Sequence, residues 1–348
     1  MLYQTKNPHG GDIYGAPIDL DYSANTNPLG TPKGVQDAII AALPDVHHYP
    51  DPYCRKLVAA IAAHEQLPEN VILCGNGAAE LIGSYCGALR PKKAVELAPT
   101  FAEYSNGLER AGCTVSRYTL GRENGFKLDR GFLDFLEAEQ PEAVFLCNPN
   151  NPTGQLIPPA LLAEILTFCR ERSIRMFLDE CFLDFTDDGV SVKDRLEECP
   201  NLFILRAFTK SYGMAGVRLG YGLCADPALL TAMSRSVQPW NISSLAQAAG
   251  VAALQEGDFL EAGKAIIRTE RVWLRQQLEA CGFWVCPTET NYMLFRGPER
   301  LHGELLNRRI AIRNCGNYHG LEQGWYRIAV RTHPENAQLM DAIREICN

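Results

Sequence analysis

The chain has 348 residues, 46% hydrophobic and 21% charged, enough for one large domain or for a large domain plus a smaller one. Its formal net charge of −8 gives no electrostatic reason to expect nucleic acid or an anionic membrane as partner, so an anionic small substrate would need local arginines. The 13 cysteines are irregularly spaced and form no C-x-x-C pair, which argues against a disulfide framework or a zinc ribbon. No apolar run approaches membrane-spanning length, and the expected compartment is a reducing cytoplasm.

In chain order, the first thirty residues are rich in Gly, Pro and Asn and read as an arm (1–30). From about residue 50 to 235 short apolar runs alternate with helical patterns. VILC (71–74), AVEL (94–97), AVFLC (143–147), RMFLD (175–179), LFILR (202–206) and LGYGLC (219–224) each fit a buried strand. Residues 78–89, 101–111, 129–139 and 158–172 read as helices between them. The alternation predicts a large α/β domain with a mostly parallel central sheet, assigned to 31–240. A long helical region, 243–281, follows. Strand-like NYMLF (291–295), IAIR (310–313) and WYRIAV (325–330) and an amphipathic helix over 334–346 then predict a smaller α+β domain, 241–348.

Polar motifs fall directly after four of the apolar runs, where ligands bind in open α/β sheets. GNGAAE (75–80) follows VILC, NPNNPTG (148–154) follows AVFLC, Asp179-Glu180 ends RMFL, and FTK (208–210) follows LFILR. A glycine-rich turn entering a helix offers free N–H groups to an anion. The turn also invites a dinucleotide reading and hence a nicotinamide dehydrogenase, but the third glycine of G-x-G-x-x-G is replaced by Glu80. An acid at the end of a buried strand needs a partner, either a helix cap, a salt bridge or a cationic ring nitrogen. Lys210 is either a solvated loop lysine or an amine whose pKa is lowered for Schiff-base chemistry, with Thr209, Ser211 and Arg218 placed to hold a phosphate.

Together and in this order, these motifs resemble the fold-type I pyridoxal 5′-phosphate enzymes, the aspartate aminotransferase superfamily, over nearly the whole chain. The resemblance implies a PLP-dependent transferase-like fold with pyridoxal 5′-phosphate as cofactor and no metal. It implies that Lys210 carries the cofactor covalently and that Asp179 holds its ring nitrogen. Asn151 would bind the ring hydroxyl and Phe101 would stack on the ring. Ala78, Ala79, Thr209 and Arg218 would grip the cofactor phosphate. Tyr49 would reach the phosphate of a neighbouring subunit's cofactor, so a homodimer is implied. A non-catalytic homologue would lack a use for Lys210.

Two branches compete, the histidinol-phosphate aminotransferases and the L-threonine-O-3-phosphate decarboxylases, which make aminopropanol phosphate for cobalamin. His9-Gly10-Gly11, SANTNPLG (23–30), PTFAEY, QPWN (238–241) and IRNCGNY (312–318) resemble the second. Phe182 stands where the aminotransferases usually carry Tyr, and Asp12 where Asn is more usual. This branch implies that Arg327 binds a substrate carboxylate. It implies that Arg313, with His9, Gly10 and Asn27, holds a substrate phosphate. Arg331 either assists one of these anions or pairs with an acidic residue. A serine phosphate decarboxylase is a further alternative, because one methyl of difference is worth only roughly 1–3 kcal/mol.

Overall fold

The structure, a computed structural model, describes residues 9–347. Residues 1–8 of the expected arm and the final residue of the expected C-terminal domain lie outside the described residues. The strands are β1 (Leu20–Asp21), β2 (Ile72–Gly75), β3 (Lys93–Ala98), β4 (Thr114–Thr119), β5 (Ala143–Cys147), β6 (Arg175–Asp179), β7 (Leu202–Ala207), β8 (Gly220–Leu223), β9 (Trp284–Val285), β10 (Tyr292–Arg296), β11 (Ile310–Ala311), β12 (Arg313–Asn314) and β13 (Trp325–Ala329). The α-helices are α1 (Lys33–Ala42), α2 (Arg55–Glu65), α3 (Ala78–Leu89), α4 (Glu103–Arg110), α5 (Gly131–Glu139), α6 (Pro159–Glu171), α7 (Phe208–Ser211), α8 (Pro227–Arg235), α9 (Ser244–Ala253), α10 (Gly257–Ala280), α11 (Leu301–Asn307) and α12 (His333–Cys347).

Seven strands form the large sheet in the order β2-β8-β7-β6-β5-β3-β4, all running one way except β8, which is antiparallel to both neighbours. The central strands are apolar throughout because both faces are covered. Val144, Leu146, Met176, Leu178, Leu202 and Ile204 enter one core, and Phe145, Cys147, Phe177, Phe203 and Leu205 enter the opposite one. Phe145, Phe177 and Phe203 are register partners on adjacent strands and stack at 4.9 and 5.3 Å. That ladder fixes register, and with it the height at which Asp179 leaves the sheet.

The second unit is a four-stranded antiparallel sheet, β12-β13-β10-β9, whose core with α10 and α12 includes Leu278, Phe295, Ile328 and Ile343. The arm packs here: β1 pairs in parallel with β11, and Tyr22 is buried in the same core. IAIR, expected as one strand, is divided. Ile310–Ala311 pairs with the arm and Arg313–Asn314 with β13. The expected single helical region 243–281 is also divided, between α9 and α10. The expected boundary at 240/241 falls just before α9, whose Ala246, Ala249 and Ala253 share a core with Leu57 and Leu219 of the large layer. No helix among the described residues is long and apolar enough to cross a membrane.

Candidate active site

Because β8 alone is reversed, β2, β5, β6 and β7 all end at one edge of the sheet, and the four polar motifs converge there. They line a cavity of about 210 Å³. Its floor holds Asp179, Lys210, Thr209, Asn151, Ala78 and Ala79; Phe101 and Phe182 add aromatic faces. Its other wall comes from the arm and the C-terminal sheet, through His9, Gly10, Ser23, Asn25, Arg313, Tyr318 and Arg327.

Asp179 is buried, which pushes its carboxyl above the usual range, and hydrogen bonds from Tyr104 and Cys181 pull the other way. The Tyr104 hydroxyl donates to Oδ2 at 2.6 Å and the Cys181 N–H to Oδ1 at 2.8 Å. Burial, then the positive field of Arg327, pulls the Lys210 ammonium down to about 8. Its Nζ lies 5.8 Å from the Phe182 ring centre. Phe182 packs edge-on against Tyr292, and the position at which the resemblance leads one to expect Tyr in an aminotransferase is apolar. Asn151 Oδ1 accepts a bond from Arg327, which leaves its NH₂ group to donate into the cavity.

No side chain caps α3 at Gly77, so the N–H groups of its first turn remain available to an anion. Gly77 has φ +78°, and a Cβ there would lie 2.7 Å from the Arg218 guanidinium; only glycine permits this approach. Arg218 donates to the Ala215 carbonyl. Arg313 donates to the Asn314 carbonyl and to Asn317 Oδ1, and Arg327 to Asn151 and to the Ser23 carbonyl. All these partners are neutral. Among the described residues no carboxylate forms an ion pair with Arg218, Arg313 or Arg327. Arg313 and Arg327 are moreover register partners across β12 and β13, 8% and 6% exposed. Two buried like charges opposite each other cost stability unless anions come between them. Among the described residues Arg327 Nε has no hydrogen-bond partner.

The remaining expected residues divide. His9 Nε2 lies 2.8 Å from Glu103 Oε1, which holds the Glu103 carboxyl below its usual range, and its ring is tilted against Phe101. Gly10 is needed where it stands, because a Cβ there would meet the Ser23 carbonyl oxygen at 2.5 Å. Asn27 is not among the residues that line the cavity. Its Nδ2 donates to the Ser211 carbonyl and its Oδ1 accepts from Leu29 N–H, so it pins the segment that carries Lys210. Asn25 lines the cavity, 1% exposed, with Oδ1 and Nδ2 both without a partner among the described residues. Arg331 is also outside: it pairs with Glu335 at 2.8 Å, the second of its two readings. Tyr49 is 78% exposed, stacked on Trp240, and away from the cavity of its own chain.

Sequence reasoning missed Asn25 and Tyr104. Ser23, Asn25 and Asn27 alternate in the sequence and are all buried, and that two-residue alternation was the available signal for Asn25.

The donor set fits pyridoxal 5′-phosphate: a buried amine of lowered pKa, a buried acid for a ring nitrogen, and an uncapped helix start beside a guanidinium for phosphate. The sequence model of the family described as "Aminotransferase class I and II" matches residues 17–343. A threonine-phosphate decarboxylase from Salmonella typhimurium is 37% identical over 350 residues, spanning 97% of this chain and 96% of the relative. A histidinol-phosphate aminotransferase from Desulfitobacterium hafniense is 33% identical, spanning 93% and 90%. The crystal structure of a histidinol-phosphate aminotransferase from Clostridium acetobutylicum matches with TM-score 0.88 at 30% identity, covering 94% of this chain and 99% of that one. The chain therefore belongs to the class I and II aminotransferase family, and its cofactor is pyridoxal 5′-phosphate.

Proposed function

We propose that the protein decarboxylates L-threonine O-3-phosphate to (R)-1-amino-2-propanol O-2-phosphate and CO₂, the step that supplies aminopropanol phosphate for cobalamin. The observation that carries this reading is the buried, cross-strand pair Arg313 and Arg327, neither joined to a carboxylate. A small amino acid bearing both a carboxylate and a phosphate satisfies the two guanidiniums at once. The Salmonella relative and the apolar Phe182 support the same choice.

Bound pyridoxal 5′-phosphate supplies an electron sink for the pair left when a bond at the substrate Cα breaks. The chain decides which bond that is. Arg327, with its unpartnered Nε, clamps the carboxylate. Arg313, His9 and Asn25 hold the phosphate at the other end. Pinned at both ends, the substrate would be held in one orientation, and that orientation would select CO₂ loss over proton loss. Lys210 Nζ, with its pKa near 8, then returns a proton to Cα.

The protein acts as a homodimer in which Tyr49 crosses to the partner's cofactor phosphate. In support, Tyr49, Ile40, Leu43, Val46, Tyr53 and Trp240 all expose apolar surface. Thirteen free cysteines fit a reducing cytoplasm.

A second reading, histidinol-phosphate transamination, is favoured by the Desulfitobacterium and Clostridium matches. Incubation of holoenzyme with each substrate separates the two. CO₂ and an equal amount of amine from threonine phosphate, with no 2-oxo acid added, supports decarboxylation. Glutamate formed from histidinol phosphate and 2-oxoglutarate, without CO₂ from threonine phosphate, overturns it. Serine phosphate consumed faster than threonine phosphate would shift the substrate but not the reaction.

A further inference from the structure

Asp179 is a buried acid without an ion pair among the described residues, and such a carboxyl drifts towards its neutral form unless donors hold its charge. Its donors are the Cys181 N–H on one oxygen and the Tyr104 phenol on the other, the latter at 2.6 Å. Tyr104 is itself fully buried at the start of α4. Its ring is fixed by Phe101, Phe145 and Phe177, with centroids 5.7, 6.0 and 6.0 Å away. Burial and the Asp179 charge push the Tyr104 phenol far above its usual pKa, so it remains a donor at every working pH. Of the influences that favour the charged form of Asp179, the Tyr104 hydrogen bond is the largest.

We propose that Tyr104 is a positioning residue for the cofactor: its phenol keeps Asp179 ionised and turned so that a remaining lone pair accepts the ring N–H of pyridoxal 5′-phosphate. The inference concerns the cofactor and holds whichever amino acid is the substrate. It also gives PTFAEY a second function. Phe101 lies against one face of the site while Tyr104, one helical turn on, acts on the acid behind it.

Tyr104→Phe removes one oxygen and leaves the aromatic packing in place. The experiment measures dissociation constants by equilibrium dialysis for pyridoxal 5′-phosphate and for the analogue with CH in place of the ring nitrogen. Tyr104→Phe should weaken the natural cofactor roughly tenfold or more and leave the carbon analogue unchanged. Asp179→Asn should abolish the preference for the nitrogen ring, and Tyr104→Phe should add nothing in that background. Equal weakening of both compounds would mean a merely structural role and would overturn the proposal, as would no weakening of either. If Tyr104→Phe does not fold, Tyr104→His, whose ring N–H can still donate, takes its place. A preference that persists above the Asp179→Asn level supports the proposal; one as low as Asp179→Asn overturns it. Loss of threonine phosphate turnover with these binding results intact would count against the proposed substrate and not against Tyr104.

Discussion

The two sides of the cavity are built on opposite plans. On the floor, several polar groups are already engaged by the protein: Asp179 by Tyr104 and Cys181, the Asn151 carbonyl oxygen by Arg327, and the Lys210 backbone carbonyl by Asn27 N–H. On the wall, the Asn25 amide and Arg327 Nε are buried with no partner among the described residues, and Arg313 and Arg327 face each other across a strand pair. A floor whose acid is already held by donors suits a resident cofactor. An under-satisfied wall stores a cost that a ligand of the right charge relieves. On the proposed function, the floor would hold the cofactor and the wall would choose the substrate.

Substitutions can break or sharpen that contrast. The largest effect belongs to the floor. Lys210→Ala should lower turnover by roughly 10³-fold or more, while borohydride no longer fixes cofactor to the chain and dialysis still detects noncovalent binding. The next effect is one of pH. The apoprotein should take up cofactor at a rate that falls about tenfold per unit below pH 8 and levels off above it, because only the neutral Lys210 amine reacts. The same lowering means that apoprotein stability rises with pH from about 8 towards the ordinary lysine range, since there the unfolded chain binds more protons. Stopped-flow absorbance and thermal melts check the two parts. A rate still climbing steeply at pH 10 would leave Lys210 an ordinary lysine.

On the wall, Arg327→Ala should reduce kcat/KM roughly 100-fold, about 3 kcal/mol, by loss of a charged hydrogen-bonding clamp. Steady-state kinetics with threonine phosphate measures it, and full retention would remove its assigned role. Asn25→Ala should cost about tenfold in KM with little change in Tm. Asn27→Ala should do the reverse, losing about 1–3 kcal/mol of stability from orphaned backbone groups. The smallest effect is that of Arg331→Ala, within about 1 kcal/mol in stability and without change in KM, because its Glu335 pair lies outside the cavity.

The contrast also explains what the sequence could and could not show. Floor residues follow buried strands, and AVFLC and RMFLD occupy the expected residues because a strand covered on both faces reads as a continuous apolar run. The helix over 78–89 is likewise as expected. The edge strand β4 was invisible: TVSRYT is half-exposed along its length and carries no such run. Wall residues depend on where irregular chain turns. Asn25 and Asn27 sit two apart in SANTNP and would share a face in an extended segment. Asn27 instead opens a turn, with Gly30 N–H on its carbonyl, and its side chain bonds to the Ser211 carbonyl and Leu29 N–H. Nothing local distinguishes Arg327 from Arg331. The β12–β13 register, which brings Arg327 opposite Arg313, is a long-range pairing.

The divided segment 310–314 has a mechanical consequence. Ile310–Ala311 is hydrogen-bonded to the arm that carries Ser23 and Asn25, and Arg313–Asn314 to the strand that carries Arg327. One short length of backbone thus couples the arm to both guanidiniums. On the proposed function, a substrate phosphate on Arg313 would bear on the arm and on Arg327 through this same stretch, joining the two grips in one lever.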